Sequence, residues 1–227
     1  MNVQSRKAAQ TGSTDAIEDV ATRLFIQHGY NGVSYLDIAR ELGITHASIH
    51  YYFRTKDMLA ESVLRRVAES TRHAMSGVWT DPATTLFEKF VGTRDWIHSQ
   101  YLLSNPGGKG GKPWGLLWRF AMDSDALNLS MKRLLRSSFD RLEADIARGV
   151  HTAVESGELA AGAPEIGITL QIGCLMSSTG QLTRQSASFD RLNEAFRWTH
   201  AGIARAYGRP DSRQQPWPAV PRVRAAA

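Results

Sequence analysis

The chain has 227 residues, 42% of them hydrophobic, with a formal net charge of +5 and one cysteine. That length suits one large domain or two small ones with a sizeable core. A single cysteine excludes an internal disulfide, and no apolar run approaches the roughly 20 residues of a membrane span.

The positive balance sits at the ends. Arg6 and Lys7 put +2 on the start, and Arg209, Arg213, Arg222 and Arg224 against Asp211 put +3 on the tail, leaving 11–208 formally neutral. Basic arms add salt-dependent attraction for phosphates, or serve solubility alone. The start, Met1 to Ser13, is polar with no apolar h-region, so no secretory signal is expected. Cys174 cannot build a zinc site by itself, and one free thiol fits a reducing cytoplasm, so a cytoplasmic location is expected.

In chain order, residues 1–12 read as a disordered arm. A helix is expected over 14–28, where Ile17, Val20, Ala21, Leu24 and Phe25 make the stripe of one buried face. Turn chemistry at Gly29-Tyr30-Asn31-Gly32 ends it. Two short helices joined by a glycine follow within 34–53. Ser34 is placed to cap the first, with Asp37 three residues on. Gly43 suits a left-handed turn, Thr45 caps the second helix, and Ile49 anchors it. This spacing is that of a helix-turn-helix, though an ordinary helix hairpin shares it. A fourth helix is expected over 56–76, opened by Thr55 and carrying Met58, Leu59, Val63, Leu64 and Val67.

Residues 11–71 resemble the DNA-binding domain of the TetR family of bacterial transcriptional regulators. The carrying residues are Leu24-Phe25, Gly29-Tyr30, Asp37-Ile38-Ala39, Leu42-Gly43-Ile44, Ile49-His50-Tyr51-Tyr52-Phe53 and Lys56. His50 departs from the family's usual tyrosine, and Leu36 takes a position that is basic in some members. The rest of the chain is similar only in being helical and of suitable length.

Beyond Trp79, Thr80-Asp81-Pro82 reads as a helix start, and a helix should run to Leu103. Next comes Asn105-Pro-Gly-Gly-Lys-Gly-Gly-Lys-Pro113. As a phosphate loop it fails: its leading glycine would fall on Pro106, Pro113 replaces the Ser/Thr after the lysine, and no strand precedes it. A mobile surface loop is expected instead. An aromatic segment, 114–122, precedes a long helix from Ser124 to Ser156. Two more follow, 164–183 and 189–207. Phe189, Leu192, Phe196, Thr199, Ile203 and Ala206 give the last one a packing seam, and Gly173, Ser177 and Gly180 put small residues along its predecessor. Together these suggest a four-helix dimer interface, or else internal packing. Residues 209–227 read as a disordered tail.

The fold class expected is therefore all-α: an N-terminal three-helix bundle with a helix-turn-helix, then a helical domain over 77–208. The resemblance implies that this second domain binds a ligand and dimerises. It also implies that Ala47 and Ser48 meet bases, His46 and Tyr51 meet bases or backbone, and His50, Tyr52 and Lys56 meet phosphates. Thr45 lies near the same groove, and Ser34 and Tyr35 would hold a phosphate at a helix N-terminus. With no arginine in the second helix, shape and methyl contacts gain weight. Trp79, Trp96, Trp114 and Trp118 cluster where the family's ligand pocket lies. That pocket points to Trp96, Tyr101, Trp114, Trp118, Arg119, Gln171 and Cys174, an apolar wall with few polar groups. Arg94 is a further candidate polar partner, or, like Arg119, a surface salt bridge.

The function expected is a homodimeric, sequence-specific regulator: a repressor on a palindromic double-stranded operator, released by a small molecule. No cofactor, metal or membrane enters. Two other classes were weighed. A helical-bundle enzyme lacks a nucleophile motif or metal-ligand spacing. A non-specific architectural DNA binder needs broad charge, which the neutral body does not supply.

Overall fold

The computed structural model describes residues 3–210 and 215–221, and side chains from Thr14 onward. Its elements are α1 (Val3–His28), α2 (Tyr35–Leu42), α3 (His46–Tyr52), α4 (Lys56–Trp79), α5 (Leu86–Ser104), α6 (Leu116–Met122), α7 (Leu129–Glu155), α8 (Glu165–Ser186) and α9 (Asp190–Tyr207), with a 3-10 turn at Ser124–Ala126. No helix among the described residues is long and apolar enough to cross a membrane.

Two compact units divide the chain, and the division differs from the one expected. The first takes residues up to Ser70 together with 115–137; the second takes 71–114 and the chain from 138 on. In the first unit Ile17, Val20, Ala21 and Phe25 of α1 are buried as the stripe predicts, Leu24 of the same stripe being half-buried, with Ile38 and Ala39 of α2, Ile49 of α3, and Leu59, Val63 and Leu64 of α4. Each of the larger ones, Ile, Val, Leu or Phe, adds about 1.5–3 kcal/mol over its exposed state. The aromatic segment, now α6, joins this core because Phe120 packs edge-on against Phe25 and Tyr30, with centroids 5.4 and 6.2 Å apart. The Tyr30 backbone N–H also donates to Asp123, at 2.9 Å. Gly29 is left-handed at φ 77°, and a Cβ there would fall 2.3 Å from the Asp123 carboxylate, so the turn admits only glycine.

In the second unit α9 packs on α8 and α5. Phe189, Leu192, Phe196 and Ile203 are all buried there. That part of the last helix's seam packs within the subunit, while Thr199 is half-buried and Ala206 exposed. Trp79 is buried against Phe90, and a Cβ on Gly149 would come within 2.8 Å of its ring, so α7 needs glycine at that crossing.

Several boundaries differ from expectation. The α1 helix begins at Val3 rather than Thr14, through a stretch with no proline; Met1 and Asn2 lie outside the described residues. The start of α5 is Thr85, which accepts from the Glu88 N–H while the Glu88 carboxylate accepts from the Thr85 N–H. This reciprocal box outcompetes Asp81, which instead accepts from the Ala83 N–H in a turn. The long helix opens at Leu129, where Asn128 accepts from the Met131 N–H, and Ser124 falls in the 3-10 turn. Finally, the glycine-rich loop closes on itself. Asn105 is buried, donates to the carbonyls of Tyr101 and Lys112 and accepts from the Lys112 N–H, while the Tyr101 hydroxyl donates to the Gly110 carbonyl at 2.7 Å.

Candidate nucleic-acid interface

The helix-turn-helix is built by its caps. The Ser34 Oγ accepts from the Asp37 N–H at 3.3 Å, and the Asp37 carboxylate accepts from the Ser34 N–H at 2.9 Å. These bonds hold the Asp37 carboxyl below its ordinary range. Gly43 turns the chain at φ 65°, and the Ile44 N–H donates to the Ala39 carbonyl. Thr45 then accepts from the Ser48 N–H at 3.1 Å and opens α3.

Once α3 is set by the buried Ile49 and Phe53, its other faces point outward. Thr45, His46, Ala47, His50 and Tyr51 are exposed, and Ser48 and Tyr52 are half-buried. Tyr51 is 75% exposed. The His46 and His50 rings stand edge to face at 4.5 Å, and those of Tyr51 and Tyr52 at 5.1 Å. The surface so formed offers hydroxyls, imidazoles and a methyl to a groove, with no guanidinium among them.

Two residues expected on phosphates are engaged inside the unit. Tyr35 is buried, and its hydroxyl donates to the Phe53 carbonyl at 2.9 Å while its ring packs against His46 and His50. Burial, with Asp57 nearby, pushes its phenol up to about 12. It is a strut beneath the recognition helix. The Lys56 ammonium donates to the carbonyls of Tyr30 and Val33, at 3.1 and 3.3 Å, and sits 4.3 Å from the Tyr30 ring centre. Ser34 is exposed, with its hydroxyl committed to Asp37.

The residues expected around a ligand do not gather in one unit. Trp118 and Arg119 belong to the first, where Arg119 faces Asp123 at 3.5 Å. The others belong to the second. Trp96 is half-buried on α5, and the Trp114 indole donates to Thr183 at 2.8 Å. Gln171 and Cys174 are exposed on α8, and Tyr101 serves the glycine-rich loop. Three buried groups in the same unit lack hydrogen-bond partners, Trp79 Nε1, Thr93 Oγ1 and Arg197 Nε; of these residues sequence reasoning had singled out Trp79 alone. Arg94, expected either as a polar partner of a ligand or in a surface salt bridge, is a buried cation.

Residues 17–63 match the family model described as bacterial regulatory proteins, tetR family. No curated protein matches the chain. Solved structures match over most of its length. A TetR-family transcriptional regulator from Agrobacterium tumefaciens shares 16% identity at a TM-score of 0.74, covering 88% of this chain and 99% of that one. A TetR transcriptional regulator from Chloroflexus aurantiacus shares 21% at 0.72, covering 89% and 98%, and one from Legionella pneumophila shares 22% at 0.68, covering 83% and 95%. At such identities the likeness is one of fold. Residues 17–63 thus carry the TetR-family DNA-binding motif, and the chain shares the fold of TetR-family regulators, a capped helix-turn-helix and a helical second unit.

Proposed function

We propose that the chain is a sequence-specific DNA-binding transcriptional regulator, acting as a homodimeric repressor. The observation that carries this is the exposed face of α3, held by Ile49 and Phe53 from beneath. Two such helices, one per subunit, enter successive major grooves of a palindromic operator. Ala47, Ser48, His46 and Tyr51 reach base edges, and His50, Tyr52, Thr45 and Ser34 reach the backbone. Tyr35 acts by supporting α3. Lys56 reaches a phosphate only by leaving the Tyr30 and Val33 carbonyls.

The dimer forms through α8 and α9. Ile166 and Leu170 on α8 are 79% and 52% exposed, and Trp198 on α9 is 58% exposed. A Cβ added at Gly173, Gly180 or Gly202 would meet nothing within 4 Å, so a second backbone can come close along these helices. A small molecule bound in the second unit favours a conformation that does not fit the operator. The unpartnered Trp79 Nε1 and Thr93 Oγ1 are groups that such a molecule would satisfy.

The test is binding of the purified protein to its own upstream DNA against a random duplex over a salt series. A steep salt dependence with a clear preference for the upstream DNA supports the reading. Equal affinity for both duplexes refutes it. Selection from a random pool then gives the operator, and its half-site spacing tests the dimer.

A further inference from the structure

Residues 215–221 read Gln-Pro-Trp-Pro-Ala-Val-Pro. Three prolines in seven residues hold the backbone extended and remove N–H donors, so no ladder of hydrogen bonds can tie such a segment down. It is nevertheless seated on the second unit, through one side chain and the next carbonyl. The Trp217 ring meets Phe87 at 5.7 Å and 90°, lies 6.2 Å from His200, and has the Arg94 guanidinium 5.3 Å from its centre. Its Nε1 donates to Asn193 Oδ1 at 3.0 Å. Arg94 Nη1 donates to the Pro218 carbonyl at 2.7 Å and to Asn193 Oδ1 at 3.1 Å. Apart from Trp217 and the half-buried Val220, the segment is exposed.

The receiving surface is a built site. Arg94 is fully buried, with Asp95 accepting from its Nε and Nη2 at 2.7 and 2.6 Å. Its Nη1 is left to hold a carbonyl. Asn193 supplies an acceptor for a ring N–H, and Phe87 and His200 supply aromatic walls. Together they specify a planar aromatic carrying an N–H, with a carbonyl oxygen close by. Asp95 already balances the guanidinium, so the fitting acceptor is neutral; a carboxylate would stand a second negative charge near Asp95.

We propose that this surface between α5 and α9 is a binding site for neutral indole-type amides, and that residues 215–221 are its internal occupant, a strap which such a ligand displaces. The site rests on the strap's own contacts and is independent of the DNA-binding reading. As an intramolecular competitor the strap acts at an effective concentration on the order of millimolar. A free ligand is therefore opposed in the native chain and unopposed when the strap loses its indole.

The experiment titrates N-acetyl-Trp-Pro-amide, by calorimetry at neutral pH, into the full chain and into its Trp217→Ala variant. The variant is expected to bind roughly tenfold more tightly or better. Equal affinities, or no binding to the variant, overturn the proposal. The corresponding free acid is expected to bind more weakly, and an acid that matches or exceeds the amide overturns the neutral assignment. If Trp217→Ala lowers the helical circular dichroism, the native chain with 15N-labelled indoles replaces it. Excess amide should then move the Trp217 indole resonance to its position in a free peptide of sequence 215–221. A resonance that stays in place overturns the proposal.

Discussion

The Tyr30 hydroxyl donates to the Asp57 carboxylate, 27 residues on. Asn128 donates to the other carboxylate oxygen at 3.1 Å, and Lys56 lies across the Tyr30 ring. One buried tyrosine thereby joins the end of α1 to the start of α4, and Asp57 carries the link on to the start of α7. Tyr30 and then Asn128, by hydrogen bonding to the charged form, hold the Asp57 carboxyl below its ordinary range. Burial first, and Asp57 second, raise the Tyr30 phenol.

Tyr30→Phe should therefore cost about 1.5–3 kcal/mol, the worth of a hydrogen bond to a charged group. The depressed Asp57 carboxyl contributes stability above its unfolded value, and that contribution is lost as pH falls through the folded one. With one of its two side-chain donors removed, the acid-side loss becomes shallower. Urea unfolding of both proteins from neutral pH down to pH 3 measures it. Parallel stability curves would show that the hydroxyl does not hold Asp57.

On the recognition helix, contact and support should separate cleanly. Tyr51→Ala removes an exposed ring, so folding stability should change by less than about 0.5 kcal/mol. Operator affinity should fall by about 1–3 kcal/mol, as for a lost base or backbone contact. Ile49→Ala empties a fully buried position and should cost about 2–5 kcal/mol of stability. Thermal melts and filter binding on both variants decide. A Tyr51→Ala protein with unchanged affinity would move the interface off this face.

Much of this was legible before any coordinates. The stripe Ile17, Val20, Ala21 and Phe25 and the caps Ser34, Thr45 and Gly43 are local patterns, with cause and partner within a few residues. What stayed hidden depends on partners far apart in the chain. Tyr30 finds Asp123 across 93 residues, and Arg94 finds Pro218 across 124. No periodicity carries such information. The partners of Tyr35 and Lys56 stayed hidden for the same reason: each stands at the start of a helix and reads as a phosphate contact, while the Phe53, Tyr30 and Val33 carbonyls that they donate to are brought there by the fold. The tail misled through composition. Its prolines suggest disorder, yet Trp217 and Pro218 have specific partners; residues 211–214 and 222–227 lie outside the described chain.

The proposed dimer makes Leu170 a sensitive position. It is exposed on α8 one turn from Ile166, with the open Gly173 on the same side. Leu170→Glu would place a charge opposite its own copy in a two-fold interface, and such a desolvated like-charge pair costs several kcal/mol. The variant should sediment as a monomer with unchanged helical content, and operator affinity should fall with it. A variant that stays dimeric would place the interface elsewhere on the subunit.

His200 contributes to the acid behaviour of the second unit. Its ring is buried against Phe87 and Phe90, with centroids 5.2 and 5.4 Å away, and burial alone pushes it from an ordinary 6.5 down to about 4. In the unfolded chain it takes up a proton as pH drops through about 6.5, whereas the folded chain resists until about 4. Stability is thus full above the upper value and is lost progressively across that window. The loss is on the order of 3 kcal/mol at its lower end. His200→Phe keeps an aromatic ring among Phe87, Phe90 and Trp217 but cannot take the proton. Between pH 6.5 and 4 its unfolding free energy should decline less than that of the native chain, while at pH 7.5 the two differ little. Chemical denaturation at half-unit pH steps gives both curves. If they fall in parallel, the acid sensitivity belongs to other groups and His200 is protonated without opening the core.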